Sequence, residues 1–406
     1  MSTRGGTRRR PPGRPSTKIA GPMEHVDVTR DVKVSVQNIL WGRAAGRCQF
    51  PACNRSLTRT PATQETRNLA EKAHIRAFSR GGPRADHKWP AHLINDVENL
   101  LLLCQDCHIT IDRAEGPDKY VAAQLAEWKA LHEQRVETAT GIAASCHSHI
   151  VTYGTSVGAH DALPTFRTAA EALFPHAFPA SSRIIELGTR ASYLRDHDDA
   201  FWMHERKQLA HRYEQRVRIP LEQGDLGPLS IFALAPQPLL IDLGVLIGDI
   251  TSATTYQRHR EPAGWNWPAD GEGIAFDVHT PNRTDGPPAL VLAVSATITP
   301  DRITRVLGED AAIWMLTVSA PHNDIVKSPA TLGEFRRTVR SLLDTIKAQH
   351  GDRTPVHVFP ALPVSLAVEF GRARMPKADS PWMIYDENQA RGGFIPTFTI
   401  SQDLTA

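Results

Sequence analysis

Four of the five cysteines in the chain fall into two short pairs. Cys48 and Cys53 bracket Gln-Phe-Pro-Ala, and Cys104 and Cys107 bracket Gln-Asp, with 50 residues between the pairs. Each pair lies on a tight turn, which lets two thiolates reach one tetrahedral Zn²⁺, and no other pairing of the five cysteines gives two such turns. The spacing therefore predicts a structural zinc site. Buried cysteines of no chemical consequence are the alternative.

Three polar residues accompany these cysteines. His74 stands in Lys-Ala-His-Ile, Asn99 precedes the apolar run that ends at Cys104, and His108 directly follows Cys107. A simple zinc-containing ribbon that binds nucleic acid needs none of the three. Phosphodiester hydrolysis does need such residues, because it requires a base for water, a cation for the phosphate charge and help for the leaving 3′ oxygen.

The order and spacing of these residues resemble those of HNH endonucleases that contain a structural zinc. The motifs that carry the resemblance, all within residues 40–137, are Cys48…Cys53, Ala73-His74-Ile75, Asn99-Leu100 and Cys104-Gln-Asp-Cys107-His108. The resemblance implies the ββα-metal fold, in which two strands and a helix form the site, and it implies metal-dependent cleavage of DNA.

Each of the three polar residues has a predicted catalytic role. A neutral imidazole accepts a water proton at physiological pH, so His74 is the predicted general base. The amide oxygen of Asn99 is predicted to hold the other ring nitrogen and fix the tautomer. His108 is predicted to bind one Mg²⁺-class ion, separate from the structural zinc.

The second ligand of that ion departs from the family pattern. Many HNH sites have Asp or His immediately before the base, whereas this sequence has Ala73. Asp112, four residues after His108 and on the same face of a helix, is the predicted substitute. Glu71 and a backbone carbonyl are the alternatives.

Basic residues are concentrated around the predicted base. Residues 43–88 contain ten Lys or Arg and three acidic residues. Part of this stretch falls between the base and the metal ligand, where a DNA backbone must lie, so contact with phosphates is predicted, and a solvated loop is the alternative. The predicted DNA contacts are Arg76, Arg80, Arg84 and Lys88.

Composition divides the chain into four segments. Residues 1–22 carry six basic and no acidic side chains, which predicts a disordered tail that binds phosphate or only aids solubility. Residues 23–140 hold the HNH motif and are predicted to form one compact domain. Residues 141–160 are small and polar and are predicted to be a linker, and residues 161–406 form the second domain.

Helical periodicity flanks the cysteine pairs on both sides. A helix is predicted from Val34 to Arg47, ending near Gly46, and a second one over residues 118–137. The apolar face predicted for the second helix consists of Val121, Leu125, Trp128, Leu131 and Val136.

The second domain contains an internal repeat. Residues 228–244, PLSIFALAPQPLLIDLG, align without gaps with residues 355–371, PVHVFPALPVSLAVEFG. Each copy indicates a buried strand, a Pro-marked turn and a helix closed by Gly. With the further apolar runs around the second copy, the pattern predicts a largely parallel α/β domain of two related halves. A ligand crevice is expected at the carboxyl ends of the strands.

This segment resembles the SAVED domain, a fusion of two CARF-like (Rossmann-like) halves that binds cyclic oligonucleotides. The resemblance rests on the repeated units and on Trp265-Asn-Trp267, Met375-Pro-Lys377-Ala-Asp379 and Ile384-Tyr385-Asp386. It implies a cyclic oligonucleotide as allosteric activator. A cyclic dinucleotide is favoured, because its two bases and two phosphates match two similar halves.

Aromatic and basic side chains are the candidates for contact with that ligand. The candidates for base stacking are Tyr256, Trp265, Trp267, Trp382 and Tyr385, with core packing as the alternative for each. The candidates for phosphate contact are Arg258, Arg260 and Lys377.

An HNH domain fused to a SAVED domain resembles the nuclease effectors of CBASS anti-phage defence. We therefore expect a cyclic-nucleotide-activated endonuclease that acts as a homo-oligomer, a dimer or tetramer. It is expected to degrade double-stranded DNA with little sequence specificity, because no base-reading element is apparent. The alternatives are a modification-dependent restriction endonuclease whose C-terminal domain reads DNA, and a non-enzymatic zinc-containing regulator that senses a ligand. The net negative charge of residues 141–406 counts against the first.

The sequence gives no sign of a membrane partner. It has no apolar run of about 18 residues, and no apolar stretch follows the basic N-terminus. A cytoplasmic protein is therefore expected.

Overall fold

The structure is a computed structural model that describes residues 31–79, 81–113, 115–155, 163–188, 198, 200–388 and 391–401. The chain divides into two compact units, an N-terminal unit of residues 1–140 and a C-terminal unit of residues 141–406. The predicted basic tail, residues 1–22, lies outside the described residues. In the described parts of the chain, no helix combines the length and the apolar character needed to cross a bilayer.

The N-terminal unit is built around a two-stranded antiparallel sheet. Its elements are α1 (Val34–Arg43), β1 (Ala70–His74), β2 (Leu100–Cys104), α2 (Gln105–Asp112), α3 (Gly116–Lys119) and α4 (Ala122–Thr140), with short 3-10 turns at Ala91–Leu93 and Val97–Asn99. Strand β2 is Leu-Leu-Leu-Leu-Cys and is buried on both faces, since α1 and α2 both pack against it. The strands pair from Ala70 with Cys104 to His74 with Leu100, so the predicted ββα arrangement is confirmed.

The predicted apolar face of the second long helix is partly wrong. Helix α4 buries Leu125, Lys129 and His132, whereas Val121 and Leu131 are 49% and 57% exposed. Polar side chains are tolerated inside because they are paired: His132 Nε2 lies 3.1 Å from the carbonyl oxygen of Ala44, and Lys129 forms an ion pair with Glu133.

The C-terminal unit contains two mainly parallel sheets. Its helices are α5 (Phe166–Leu173), α6 (Phe201–Tyr213), α7 (Ile219–Gln223), α8 (Gln237–Ile247), α9 (Pro300–Leu307), α10 (Pro329–His350) and α11 (Val364–Arg372). Its strands are β3 (His147–Gly154), β4 (Phe178–Pro179), β5 (Ile185–Glu186), β6 (Leu229–Leu234), β7 (Ala253–Tyr256), β8 (His259–Arg260), β9 (Ala263–Gly264), β10 (Asp277–His279), β11 (Pro288–Ala293), β12 (Ala312–Thr317), β13 (Val356–Ala361), β14 (Trp382–Asn388) and β15 (Gly393–Ile400).

Each half of this unit forms one sheet. The first has the order β4-β3-β6-β7, with β5 also on β3, and all its pairings are parallel. The second has the order β10-β12-β11-β13-β14-β15, with a parallel centre and antiparallel edge strands. The predicted α/β architecture of two related halves is confirmed.

The predicted linker over residues 141–160 is wrong for residues 147–154. These residues form β3, a largely buried strand of the first sheet that pairs with β6 along its length. Ser148, one of the polar residues that suggested a linker, is accommodated inside because its hydroxyl bonds with that of Ser230 on β6 at 2.8 Å.

The two copies of the internal repeat pack directly against each other. The copies are β6 followed by α8 and β13 followed by α11. Helices α8 and α11 cross at Gly244 and Gly371, which occupy the same position in the repeat. A Cβ atom on either glycine would lie 2.9 Å from the Cα atom of the other. Only a residue without a side chain permits this approach, so the repeat glycines allow the two halves to join.

Candidate active site

The four paired cysteines lie together in the N-terminal unit. Their Sγ atoms are all within 4.8 Å of one another, and those of Cys53 and Cys104 are 3.9 Å apart. Local structure brings them together: Gly46, with a φ of +62°, turns the chain after α1 toward Cys48, and Cys104 is the last residue of β2 and the N-cap of α2. Cys107 follows in the first turn of that helix.

The donor set of this cluster fits zinc. Burial raises the pKa of the Cys48 thiol to about 12, and burial also raises the pKa of Cys107. Such thiols ionise at neutral pH only beside a cation, and four cysteine sulfurs are the usual ligands of a closed structural Zn²⁺ site. Cys146, the fifth cysteine, is exposed and is not part of the cluster.

His74, the predicted base, is the last residue of β1. Its Nε2 atom lies 3.0 Å from the amide oxygen of Asn95, and its ring lies 5.9 Å from the ring of Phe78. The predicted partner, Asn99, does not make this contact.

Asn99 is fully buried and holds the backbone instead. Its amide oxygen accepts the N–H of Arg76 at 2.9 Å, and its amide nitrogen donates to the carbonyl oxygens of Arg76 at 3.1 Å and of Ile94 at 2.9 Å. The prediction that Asn99 fixes the His74 tautomer directly is therefore wrong. Because these hydrogen bonds of its side-chain amide all go to the backbone, Asn99 holds the segment before β2 against the turn after β1.

His108 and Asp112 form a pair on one face of α2, as their spacing predicts. His108 Nε2 lies 3.3 Å from one carboxylate oxygen of Asp112. The hydrogen bond to Asp112 raises the pKa of His108, against the effect of burial, and the negative charge of Glu71 adds to the rise. Burial acts to raise the pKa of Asp112, but hydrogen bonds from His108 and Arg84 outweigh it and lower this pKa.

Arg84 is a structural residue, and its predicted contact with DNA phosphate is wrong. Its side chain is 4% exposed, and its Nη2 donates to Asp112 at 2.6 Å. The same guanidinium donates to the carbonyl oxygens of Ile75 at 2.9 Å, Ile111 at 2.8 Å and His74 at 3.3 Å. A guanidinium with its donors used in this way is not available to a phosphate, but it fastens β1 to the end of α2.

These contacts bring the predicted catalytic residues into one cluster. Arg84 bonds to the backbone of His74 and to the carboxylate of Asp112, which in turn contacts His108. Asp112 thus directs one oxygen to Arg84 and the other to His108. This geometry favours Asp112 as the group that orients His108, in place of the predicted role as second ligand of the catalytic ion.

Of the remaining predicted DNA contacts, Arg76 already contacts two neighbouring side chains, whereas Lys88 is exposed. The guanidinium carbon of Arg76 lies 3.9 Å from the centre of the Trp89 ring, and Arg76 Nε lies 3.7 Å from a carboxylate oxygen of Asp86. Lys88 is exposed, and Arg80 lies outside the described residues.

Most of the aromatic candidates for base stacking belong to the core of the C-terminal unit. Tyr256, Trp265, Trp382 and Tyr385 are between 1% and 6% exposed. Each lies against another aromatic ring; for example, the ring of Tyr256 is stacked at 4.4 Å on Phe232. The prediction of base stacking is therefore wrong for these four, because their faces are already covered. Trp267 is only partly buried.

The basic candidates do not converge on one place. Arg258 donates to the carbonyl oxygens of His259 and Gly264, so it holds the β8–β9 hairpin. Arg260 is exposed and follows the carboxyl end of β7, whereas Lys377 is exposed and lies between α11 and the amino end of β14.

Two sets of contacts place these residues on opposite sides of the sheets. Gln257, after β7, accepts the backbone N–H of Ser365 at the start of α11, which joins the carboxyl edges of the two halves. Arg372, at the other end of α11, donates to the carbonyl oxygen of Thr251 before β7, which joins the amino edges. Arg260 belongs to the first group and Lys377 to the second, so Lys377 lies away from the crevice predicted at the carboxyl ends of the strands.

The sequence did not point to Asn95, and it gave Arg84 the wrong role. Asn95 carries no signal that separates it from other loop asparagines. Arg84 follows Gly81-Gly82-Pro83, a turn-rich stretch that indicates an irregular loop but not the direction of the side chain.

A four-cysteine cluster beside a ββα element defines the N-terminal unit, and two repeated parallel α/β halves define the C-terminal unit. Comparison with known families agrees with this description. Residues 48–115 match the family of HNH endonucleases, and residues 209–400 match the SAVED family, described as a sensor domain associated with SMODS and fused to various effectors. The chain therefore joins an HNH endonuclease domain to a SAVED sensor domain, as its resemblances implied. The first sheet extends upstream of the SAVED match, since it includes β3.

The chain also has matches among solved structures. A SAVED/CARF-domain containing receptor, Cap4 of Acinetobacter baumannii, with the cyclic trinucleotide 2'3'3'-cAAA is 14% identical, with a TM-score of 0.41 and coverage of 69% of this chain and 61% of that chain. The Cap4 receptor of Moraxella osloensis is 15% identical, with a TM-score of 0.39 and coverage of 69% and 60%. The chain thus spans about 60% of the length of these receptors. No curated protein matches it at a significant level.

Proposed function

We propose that this protein is a metal-dependent DNA endonuclease activated by a cyclic oligonucleotide, and that it acts as a CBASS effector in anti-phage defence. The observation that carries the proposal is the presence in one chain of an HNH domain and a SAVED domain. A sensor fused to a nuclease has a simple use, because unregulated DNA cleavage would destroy the genome of the host.

In the proposed reaction, His74 accepts a proton from water and the resulting hydroxide attacks phosphorus while the bond to the 3′ oxygen breaks. His108 would hold a Mg²⁺-class ion, with Asp112 orienting the imidazole. The ion, when bound, would supply positive charge at the phosphate and at the leaving oxygen. Glu71 is the proposed further carboxylate at this site, since its charge already acts on His108.

We propose double-stranded DNA as the substrate, cut with little sequence specificity. Arg76 and Lys88, together with Arg80, are the proposed phosphate contacts, because they belong to the basic excess of residues 43–88. Phosphate contacts fix the position of the duplex but do not read its sequence.

We propose that the cyclic oligonucleotide binds the C-terminal unit at the carboxyl edges of its sheets, near Arg260 and Trp267. Ligands of open parallel sheets bind at this edge, and here the edges of the two related halves adjoin. Two similar edges suit a cyclic dinucleotide, which has two bases and two phosphates. A ligand activates only by binding one state more tightly, so we propose that it favours a dimeric or tetrameric form that cuts both strands.

The decisive experiment uses plasmid DNA, Mg²⁺ and a panel of cyclic di- and trinucleotides with the full chain. We expect one or a few of these ligands to trigger cleavage, and we expect His74→Ala to abolish cleavage while ligand binding persists. Cleavage without any ligand, or none with any member of the panel, would contradict the proposed activation. Full activity of His74→Ala would remove His74 as the base.

A further inference from the structure

The contact between His74 and Asn95 gives the proposed base a defined chemical state. The Nε2 atom of the imidazole lies 3.0 Å from the amide oxygen of Asn95. A carbonyl oxygen only accepts hydrogen bonds, so Nε2 must carry the ring proton in this arrangement. In the neutral ring, Nδ1 then has the lone pair that can take a proton from water.

The backbone on both sides of Asn95 is fixed. The carbonyl oxygen of the preceding residue, Ile94, accepts the amide of the buried Asn99 at 2.9 Å. The following residue, Asp96, caps the short turn Val97–Asn99 by accepting the N–H of Glu98 at 2.9 Å. Asn95 is thus held between two anchored neighbours, which restricts where its side chain can point.

Asn99 also links this segment to the strand that carries the base. It bonds to both backbone groups of Arg76, two residues after His74. The same buried amide therefore fixes the relative position of His74 and Asn95, although it touches neither side chain.

An amide suits this position better than a carboxylate. A carboxylate against Nε2 would stabilise the imidazolium and so hold the proton that a base must be free to accept and release near neutral pH. An amide oxygen selects the tautomer of the neutral ring without adding a negative charge beside it.

From these contacts we infer that Asn95 is a positioning residue for the nuclease reaction: it fixes His74 as the Nε2–H tautomer and leaves Nδ1 as the atom that accepts the water proton. This inference rests on the proposed nuclease function for its catalytic meaning. The tautomer itself is a property of the folded chain and can be measured without any cleavage.

The first test is nitrogen NMR of the full chain with ring-¹⁵N-labelled histidine, with His74 assigned from a His74→Gln variant. In the neutral ring, we expect the wild-type shifts to report a protonated Nε2 and an unprotonated Nδ1. Asn95→Ala should give a mixture of tautomers, and Asn95→Asp, which keeps an acceptor, should retain Nε2–H. The matched control is Asn68→Ala, an exposed asparagine just before β1 whose side chain accepts the N–H of Ala70. It should leave the His74 signals unchanged.

The second test is the rate of plasmid cleavage with Mg²⁺ and the ligand that activates the wild type. Loss of an orienting partner typically lowers activity by about 10-fold to 100-fold, so Asn95→Ala should lose that much in kcat with little change in KM. Asn95→Asp should approach wild-type activity only at high pH, because the carboxylate stabilises the protonated ring. The rising limb of its pH–rate profile should therefore lie at higher pH than that of the wild type. A purely structural role would change stability or KM without this shift in the profile.

The two tests separate the inference from the function on which it rests. If no ligand elicits cleavage but Asn95→Ala alters the His74 tautomer, the positioning contact stands and the proposed nuclease function fails. If the wild type already shows Nδ1–H, or if Asn95→Ala leaves the tautomer unchanged, the inference is overturned whatever the activity.

Discussion

Arg84 illustrates how burial redirects a charged residue. Its sequence position, within a basic stretch beside a predicted base, suggested a phosphate contact. In the fold its guanidinium is surrounded by carbonyl oxygens and by the carboxylate of Asp112, 2.6 Å away. A buried charge is tolerated only with such partners, so Arg84 contributes to the framework of the site, and the proposed DNA contact falls to the exposed basic residues.

At the same scale, the cysteine cluster predicts a metal requirement. We expect purified protein to contain about one Zn²⁺ per chain, and we expect Cys107→Ser to lose it, because three sulfurs rarely hold a structural zinc as tightly as four. Elemental analysis measures the content, and a zinc chelator should lower the melting temperature of the N-terminal unit.

Cys146→Ser is the matched control for this prediction. Cys146 is exposed and lies outside the cluster, so the variant should retain both zinc and stability. Equal zinc content in Cys107→Ser and in the wild type would contradict the assignment of the four ligands.

At the scale of elements, the crossing of α8 and α11 joins the two halves of the sensor. Each helix follows an interior strand of its own sheet, and the repeat places Gly244 and Gly371 where the helices touch. The pairing of Phe232 with Tyr256 in one half is matched by Phe359 with Tyr385 in the other, with ring centres 4.4 and 4.3 Å apart. The two halves thus share a packing scheme as well as a backbone path.

Substitution at this crossing should be costly. A Cβ atom at Gly244 would lie 2.0 Å from the carbonyl oxygen of Val368, and the backbone of α11 cannot yield without separating the helices. We expect Gly244→Ala to lower the free energy of unfolding of the C-terminal unit by about 1–3 kcal/mol or more, as measured by chemical denaturation.

Gly333→Ala provides the control within the same unit. Gly333 lies in α10, where the nearest atom to an added Cβ is the end of the Arg337 side chain at 3.8 Å. This variant should be neutral or stabilising by up to about 1 kcal/mol, since alanine favours helix. Similar effects of the two substitutions would show that the crossing is not tightly packed.

At the scale of the whole molecule, the net charge of +2 conceals an uneven distribution. Residues 1–22 and the stretch 43–88 are strongly basic, and residues 141–406 carry a net negative charge. The basic excess thus accompanies the HNH domain, and the acidic excess accompanies the SAVED domain. Such a division suits a protein whose two domains bind different partners, a long polyanion and a small ligand.

The placement of basic residues in the C-terminal unit predicts which of them contact the ligand. Arg260 lies on the carboxyl-edge side and Lys377 on the amino-edge side, so Arg260→Ala should weaken binding of the activating cyclic oligonucleotide by about 10-fold, as expected for one charge-assisted contact. Lys377→Ala should bind as the wild type does. Calorimetry of both variants measures the difference, and the opposite ranking would place the ligand at the amino edges.

Short-range patterns determined much of this protein. The spacing of the cysteines predicted the cluster, because tight turns fix such distances within a few residues. The ββα element was predicted from the resemblance to the HNH family that the same motifs carry. The internal repeat likewise predicted two α/β halves, since each copy contains a complete strand, turn and helix.

Only the tertiary structure decided which side chains are available. The pairing of His74 with Asn95 in place of Asn99, the burial of Arg84, the covered rings of Tyr256, Trp265, Trp382 and Tyr385, and the strand at residues 147–154 all depend on contacts between distant segments. Aromatic and charged residues suit both a core and a binding site, so their type alone does not distinguish the two. The packing of the neighbouring elements decides whether such a side chain is buried or available for binding. Residue type and local spacing do not determine that packing.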